Sequence, residues 1–303
     1  MKIGFVLLIA GFGDLSQAPR YPQIREWALR VEDAGLDSIW LYDHLLYRSE
    51  GAPTIGIWEC WSILSALAET THRLEIGTLV LCNQFRNPAI LAKMAHTIDE
   101  VSNGRLILGI GAGWNKPEFD AFGIPFDYRV DRFEEAVQII RPLLKQGSVD
   151  FEGKYYKAQE CEILPRSPRQ EGPPLLIGSF GPRMMRLTAK YADMWNTAYL
   201  GKPEQLIGRL EAFRSACQVE GRNIENIQIT VTIALGFPHL GNIPKFFEDF
   251  YLSGSTEEIA QALKGYEDLG VKHVIFHAAP YYHHEILNRI VSCIEEYRNI
   301  RTE

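Results

Sequence analysis

Asp43 and His44 close the apolar run Ser38-Ile39-Trp40-Leu41-Tyr42. An imidazole presented at a strand end can take, give or orient a proton near neutral pH. The same residue could instead cap the strand and bond to loop backbone. A second segment, Leu106-Ile107-Leu108-Gly109-Ile110-Gly111-Ala112-Gly113-Trp114, breaks from apolar residues into alternating glycines. Gly111 and Gly113 offer backbone that a large ligand can lie against, and Trp114 is placed to stack on a ring. This is not a Rossmann phosphate loop, which needs a glycine where Trp114 stands and a helix starting at once. Asn115, Lys116 and Pro117 follow instead. A third segment, Gly178-Ser179-Phe180-Gly181-Pro182-Arg183, reads as an anion nest in which Pro182 opens a helix whose N–H groups would face a phosphate. Arg183 and Lys202 would add charge there, unless the segment is a tight turn with solvated basic residues.

Other reactive side chains carry less. Neighbouring His283 and His284 would diverge by about 100° on a helix, so they do not form a chelating pair. Cys82 is a candidate thiol, but a lone buried cysteine commonly packs as a small hydrophobe. Trp40, Trp58, Trp61 and Trp195 read as core or pocket wall, and charged residues on helices as solvated faces.

The elements that must position these residues alternate along the chain. Strand-like runs start near Ile3, Ser38, Leu74, Leu106, Pro174, Asp193, Gln228 and Val271. Helical periodicity separates them, with Asn87-Pro88 supplying an N-cap and first-turn proline. Asp131 with Glu134, and Ser255 with Glu258, have capping-box spacing. Eight strands alternating with eight helices predict an α/β fold, a (β/α)8 TIM barrel with insertions after strands four and seven. The insertions are the Pro- and Gly-rich excursions 147–172, with a hairpin at Gly153-Lys154-Tyr155-Tyr156, and 236–253. An open doubly wound sheet with a second domain is the competing architecture. No composition shift marks a linker, so 1–303 reads as a single domain. In a barrel the site lies at the carboxyl ends of the strands, where Asp43, His44, Cys82, Asn83, Gly111–Trp114 and Gly178–Gly181 all fall.

Bulk properties narrow the function. With 303 residues and 46% hydrophobic content the chain can bury a large core. A net charge of −7 argues against nucleic-acid backbone binding. Five scattered cysteines without a C-x-x-C pair suit a reducing cytoplasm and argue against disulfides or a zinc cluster. No apolar run reaches membrane-spanning length, and Met1-Lys2 leads directly into a first strand without a cleavage pattern.

The motifs Gly77-Thr78, Arg86-Asn87-Pro88, Leu91-Ala92-Lys93, Asp99, Ser102-Asn103-Gly104-Arg105 and Gly109–Trp114 occur in that order. With Ile177–Gly181 and Ala192-Asp193-Met194-Trp195-Asn196, they resemble the bacterial luciferase-like superfamily over nearly the whole chain. The resemblance implies a (β/α)8 barrel binding FMN or its 5-deaza analogue, coenzyme F420. Asp43-His44 together with Val80–Pro88 looks most like the F420-dependent branch. It would put His44 beside the reactive deazaflavin carbon, as the catalytic residue. It also implies a bulge with a non-prolyl cis peptide at Leu79-Val80, bringing backbone against the ring. Residues 178–181 would take the phosphate, where the residues themselves already suggest added charge from Lys202. Two departures stand out. The sugar-phosphate dehydrogenases of this branch carry a glutamate where Trp114 stands, and a lysine-rich substrate pocket absent here. The strand-five loop is Gly-Ser-Phe-Gly where Gly-Gly is usual.

The resemblance therefore implies an F420-dependent oxidoreductase acting on a small, partly apolar substrate, walled by Trp114, Phe180 and Phe85 and covered by the two excursions. An FMN-dependent monooxygenase and a non-catalytic flavin-binding protein are the alternatives. A homodimer, and a flavin or F420 reductase as partner, are implied the same way.

Overall fold

The computed structural model describes residues 1–12, 17–48, 51–247 and 250–302. Eight parallel strands form a closed ring: β1 Lys2–Val6, β2 Ser38–Leu41, β3 Glu75–Thr78, β4 Leu106–Gly111, β5 Leu175–Gly178, β6 Met194–Leu200, β7 Gln228–Gly236 and β8 His273–Ala279. Each pairs with its sequence neighbours, β5 pairs back to β4, and β8 to β1. This is the (β/α)8 barrel expected. Helices α1 Tyr21–Asp33, α2 Cys60–Thr70, α3 Pro88–Val101, α4 Arg129–Lys145, α5 Pro182–Tyr191, α6 Glu204–Val219, α7 Thr256–Asp268 and α8 Ile286–Thr302 follow the strands in turn. No helix among the described residues is long and apolar enough to cross a membrane.

Strands with both faces buried need apolar residues on both, and two cores result. The larger lies between strands and helices. The smaller fills the barrel interior with Val6, Trp40, Ile107, Leu176, Met194 and Ile275, and Tyr42, Leu79 and Val80 pack against it. Polar packing inside the barrel comes from Ser38, whose Oγ meets His273 Nε2 at 2.8 Å and accepts from Trp40 Nε1 at 2.7 Å.

Local signals held at several helix starts. Asn87 Oδ1 accepts from Ala89 N, and Ser255 and Glu258 form their capping box. The Asp131–Glu134 box does not exist. Helix α4 begins earlier, at Arg129, after Tyr128 in left-handed conformation (φ 58°), and both acids bind Arg183 instead. A short helix, Lys116–Ala121, also follows β4.

The first excursion holds a hairpin, Ser148–Glu152 with Lys157–Glu162. Its turn is clasped by Glu135, whose carboxylate accepts from the N–H groups of Lys154, Tyr155 and Tyr156 at 2.8, 2.8 and 3.0 Å. In the second, whose residues 248 and 249 lie outside those described, Leu252 pairs back onto β7. Phe247 packs there with Ala234 and Ala279.

Candidate active site at the barrel mouth

His44 leaves β2 half-buried, with Nδ1 2.9 Å from Glu118 Oε1. The other oxygen of that carboxylate accepts from Leu45 N at 2.9 Å. Glu118 is 1% exposed and rides on the short helix after β4. A carboxylate only accepts hydrogen bonds, so Nδ1 carries the hydrogen and Nε2 is left to exchange a proton. Around His44 stand the Tyr47 ring at 4.4 Å and the edge-on ring of Trp114 at 5.5 Å.

Asp43 faces inward. Its carboxylate accepts from Cys82 N at 3.0 Å and from both Arg86 nitrogens at 2.7 and 3.1 Å. Arg86 also bonds Glu59, which caps α2. Burial pushes the Asp43 carboxyl up against the pull of Arg86. Asp43 thus ties the ends of β2 and β3 together, beneath His44.

Beyond Thr78 the third strand is irregular. Four steps from Gly77 to Leu81 answer three from Ile107 to Ile110 on β4, so one residue bulges out. The Leu79-Val80 peptide in that bulge is cis, as the resemblance implied. The alternating glycines of β4 fit this strand. A Cβ on Gly109 would lie 1.9 Å from Thr78 O, on Gly111 2.8 Å from Val80 Cγ2, and on Gly113 2.6 Å from Cys82 Sγ. Gly178 faces Val80 too, at 3.1 Å from Cγ1. The room beside these glycines is therefore filled by the bulged strand, where the sequence suggested a ligand. Gly113 has φ +73°, and its carbonyl accepts from Arg129 Nε at 3.2 Å. Ala112 is half-buried, and Trp114 is 60% exposed.

Cys82 is buried, and burial pushes its thiol up, which suits packing rather than reactivity. Asn83 is fully buried, and neither of its amide atoms makes a hydrogen bond of full geometry among the described residues, although the Tyr156 phenol lies beside it. Each such group costs about 1–3 kcal/mol unless something meets it. Phe85 packs inward on Phe119 at 5.3 Å.

In the strand-five loop, Ser179 is committed. Its N–H donates to Asn196 O at 3.1 Å, and its hydroxyl meets Thr188 Oγ1 at 2.9 Å. Phe180 is half-exposed and stacks on Tyr199 at 6.1 Å. Gly181 caps α5, and a Cβ added there would meet nothing within 4 Å. Arg183, expected to supply charge here, is held away by Asp131 and Glu134 at 2.6 and 2.8 Å. Lys202 is exposed, its N–H bonded to Gln205 Oε1 at 3.0 Å. Arg209 had no sequence signal, yet it lies over the Phe180 ring at 5.3 Å and bonds Thr197 Oγ1 at 2.8 Å. Trp40, Trp61 and Trp195 are core, whereas Trp58 is 47% exposed.

The sequence profile of the luciferase-like monooxygenase family matches residues 1–242. An F420-dependent glucose-6-phosphate dehydrogenase of Amycolatopsis mediterranei is 33% identical over 249 residues, covering 78% of this chain and 69% of the relative. A phthiodiolone/phenolphthiodiolone dimycocerosates ketoreductase of Mycobacterium kansasii is 34% identical over 207 residues, 62% of this chain and 56% of its own. The fold matches a solved F420-dependent secondary alcohol dehydrogenase in complex with an F420-acetone adduct, with TM-score 0.80 at 19% identity, covering 98% and 99% of the two chains. The chain belongs to the luciferase-like monooxygenase family.

Proposed function

We propose that this oxidoreductase uses coenzyme F420 at the barrel mouth and moves a hydride between the deazaflavin and a small, partly apolar organic substrate. The observation that carries the reading is the His44–Glu118 pair, which leaves one imidazole nitrogen to exchange a proton at the rim. The deazaflavin, when bound, supplies a ring carbon that gives or accepts the hydride. Leu79, Val80, Cys82, Asn83, Ala112 and Trp114 would hold the ring, with Gly111 and Gly113 serving by admitting the bulged strand beside them. The incompletely bonded amide of Asn83 suits a ring edge that carries both carbonyl and N–H groups. Gly178–Gly181 and Lys202 would hold the phosphate, and Asp43 would act through the strand ends it joins.

The apolar substrate is supported by the state of the rim cations. Arg86, Arg129, Arg183 and Arg209 are each bonded within the protein. Trp114 and Phe180 remain half-exposed as apolar walls. A homodimer in the cytoplasm, with a reductase recycling the cofactor, completes the proposal.

An FMN-dependent monooxygenase is the second reading, favoured by the family's own description. Parallel titration with F420 and FMN separates the two: F420 binding alone is expected, and FMN binding without F420 would reverse the assignment. His44→Ala should leave cofactor affinity within a few-fold and slow hydride transfer by ~10²–10⁴.

A further inference from the structure

The turn after β8 carries two tyrosines with opposite fates. Tyr282 adopts a left-handed φ of 55°. Its hydroxyl donates to Leu8 O at 2.6 Å, and its ring stacks on Trp27 at 4.8 Å. These contacts hold a conformation that side-chain-bearing residues avoid, and such positions gather at functional sites. Tyr281, fixed beside it, has its hydroxyl enclosed with no hydrogen-bond partner among the described residues.

The aromatic rings that pack on Tyr281 among the described residues are uncharged. Its ring lies 5.6 Å from His277 and 6.5 Å from Phe247. Burial pushes His277 down to about 4, so that imidazole is neutral at physiological pH. Tyr47, which packs on His44 at 4.4 Å, is pushed up by burial and then by the nearby Tyr42, Tyr199, Glu118 and Tyr281. The rings of His44, Tyr42, His277 and Tyr281 follow one another at 6.4, 6.4 and 5.6 Å, so Tyr281 belongs to the same mouth as His44. Tyr42 has its own backbone partner, since its hydroxyl accepts from Ile9 N at 3.0 Å.

We infer that Tyr281 selects the substrate, its hydroxyl bonding an uncharged polar atom such as a hydroxyl or carbonyl oxygen, so that the site takes neutral, oxygen-bearing molecules and rejects anions. The inference rests on the mouth being the site proposed above. A lone hydroxyl without a partner is costly in the empty protein and gains a bond when such a ligand enters. An anion would lose its hydration among neutral phenols and imidazole, while the arginines of the rim are already bonded.

Tyr281→Phe tests this. In the absence of ligand the variant should melt at or above the native temperature, because it removes an unmet polar group. Calorimetry with 1,4-cyclohexanediol, cyclohexanone and glucose 6-phosphate, with and without F420, reads the ligand side. The native protein should prefer the uncharged compounds. The variant should bind the diol about tenfold more weakly, with F420 affinity unchanged. A melting temperature lowered by several degrees, tighter binding of glucose 6-phosphate, or no binding of either uncharged compound would overturn the inference. If F420 fails to bind while the diol binds and the variant loses it, the cofactor assignment falls and the role of Tyr281 stands.

Discussion

Nδ1 of His44 lies 2.9 Å from Oε1 of Glu118, while Oε2 of that carboxylate takes the N–H of Leu45 at 2.9 Å. Both oxygens are thus used to orient one imidazole and the backbone beside it. Glu118 acts through His44, which makes it a positioning residue. Glu118→Gln presents an N–H where an acceptor is needed and should turn the ring or reverse its tautomer. We expect turnover to fall between ~10- and ~10³-fold with cofactor affinity held within a few-fold. Nitrogen-15 NMR of the imidazole should report the tautomer change, and an unaltered tautomer together with unaltered turnover would return Glu118 to packing.

The fit between β3 and β4 gives a graded series. Gly109→Ala places a methyl 1.9 Å from the Thr78 carbonyl, a backbone atom that cannot rotate away. Gly111→Ala meets Val80 Cγ2 at 2.8 Å, a side chain that can shift. Gly181→Ala meets nothing within 4 Å. Denaturant unfolding should show the first losing more than ~3 kcal/mol or failing to fold, the second about 1–3 kcal/mol, and the third little. Equal losses at Gly109 and Gly181 would contradict this packing.

The barrel was legible because its signals are local. Apolar runs buried on both faces mark the strands, and the caps at Asn87 and Ser255 are read from their own next few residues. His44 was legible as a strand end. Glu118 was not, because Lys116-Pro117-Glu118-Phe119-Asp120 has the composition of a solvated helix, and only the adjacency of the β2 and β4 ends buries it. Asp131 misled for the complementary reason, since Arg183, remote in sequence, claims it. The glycines of β4 announced a close approach, but what approaches them comes from a strand about thirty positions earlier, beyond any local pattern.

His273 sets an acid limit to stability. Burial pushes its pKa down to about 3 from an unfolded value of 6.5, and His277 goes to about 4 by the same cause. A depressed folded value means the unfolded chain takes up the proton first. The contribution is complete above about pH 6.5 and is lost as the pH falls toward the folded values. Each such histidine should add a slope of about 1.4 kcal/mol per pH unit across that window. Urea unfolding at several pH values should show His273→Gln losing about one proton of this slope. An unchanged slope would mean that His273 is protonated in the fold.

Glu135 predicts how firmly the first excursion is held. Its carboxylate gathers three consecutive N–H groups of the hairpin turn, at 2.8, 2.8 and 3.0 Å, and a Cβ on Gly153 would lie 2.5 Å from its Oε2. Hydrogen bonds to a charged acceptor contribute about 1.5–3 kcal/mol each in favourable settings, and all three donors converge on this one side chain. Glu135→Ala should therefore loosen the turn while the barrel stays folded. Limited trypsin digestion should cut the variant at Lys154 or Lys157 at least about tenfold faster than the native protein, with circular dichroism nearly unchanged. Because Tyr156 in the same turn stands next to the buried Asn83, loosening should also weaken cofactor binding by a few-fold. Equal cleavage rates in the two proteins would show that the strand pairing of the hairpin, and not Glu135, holds it in place.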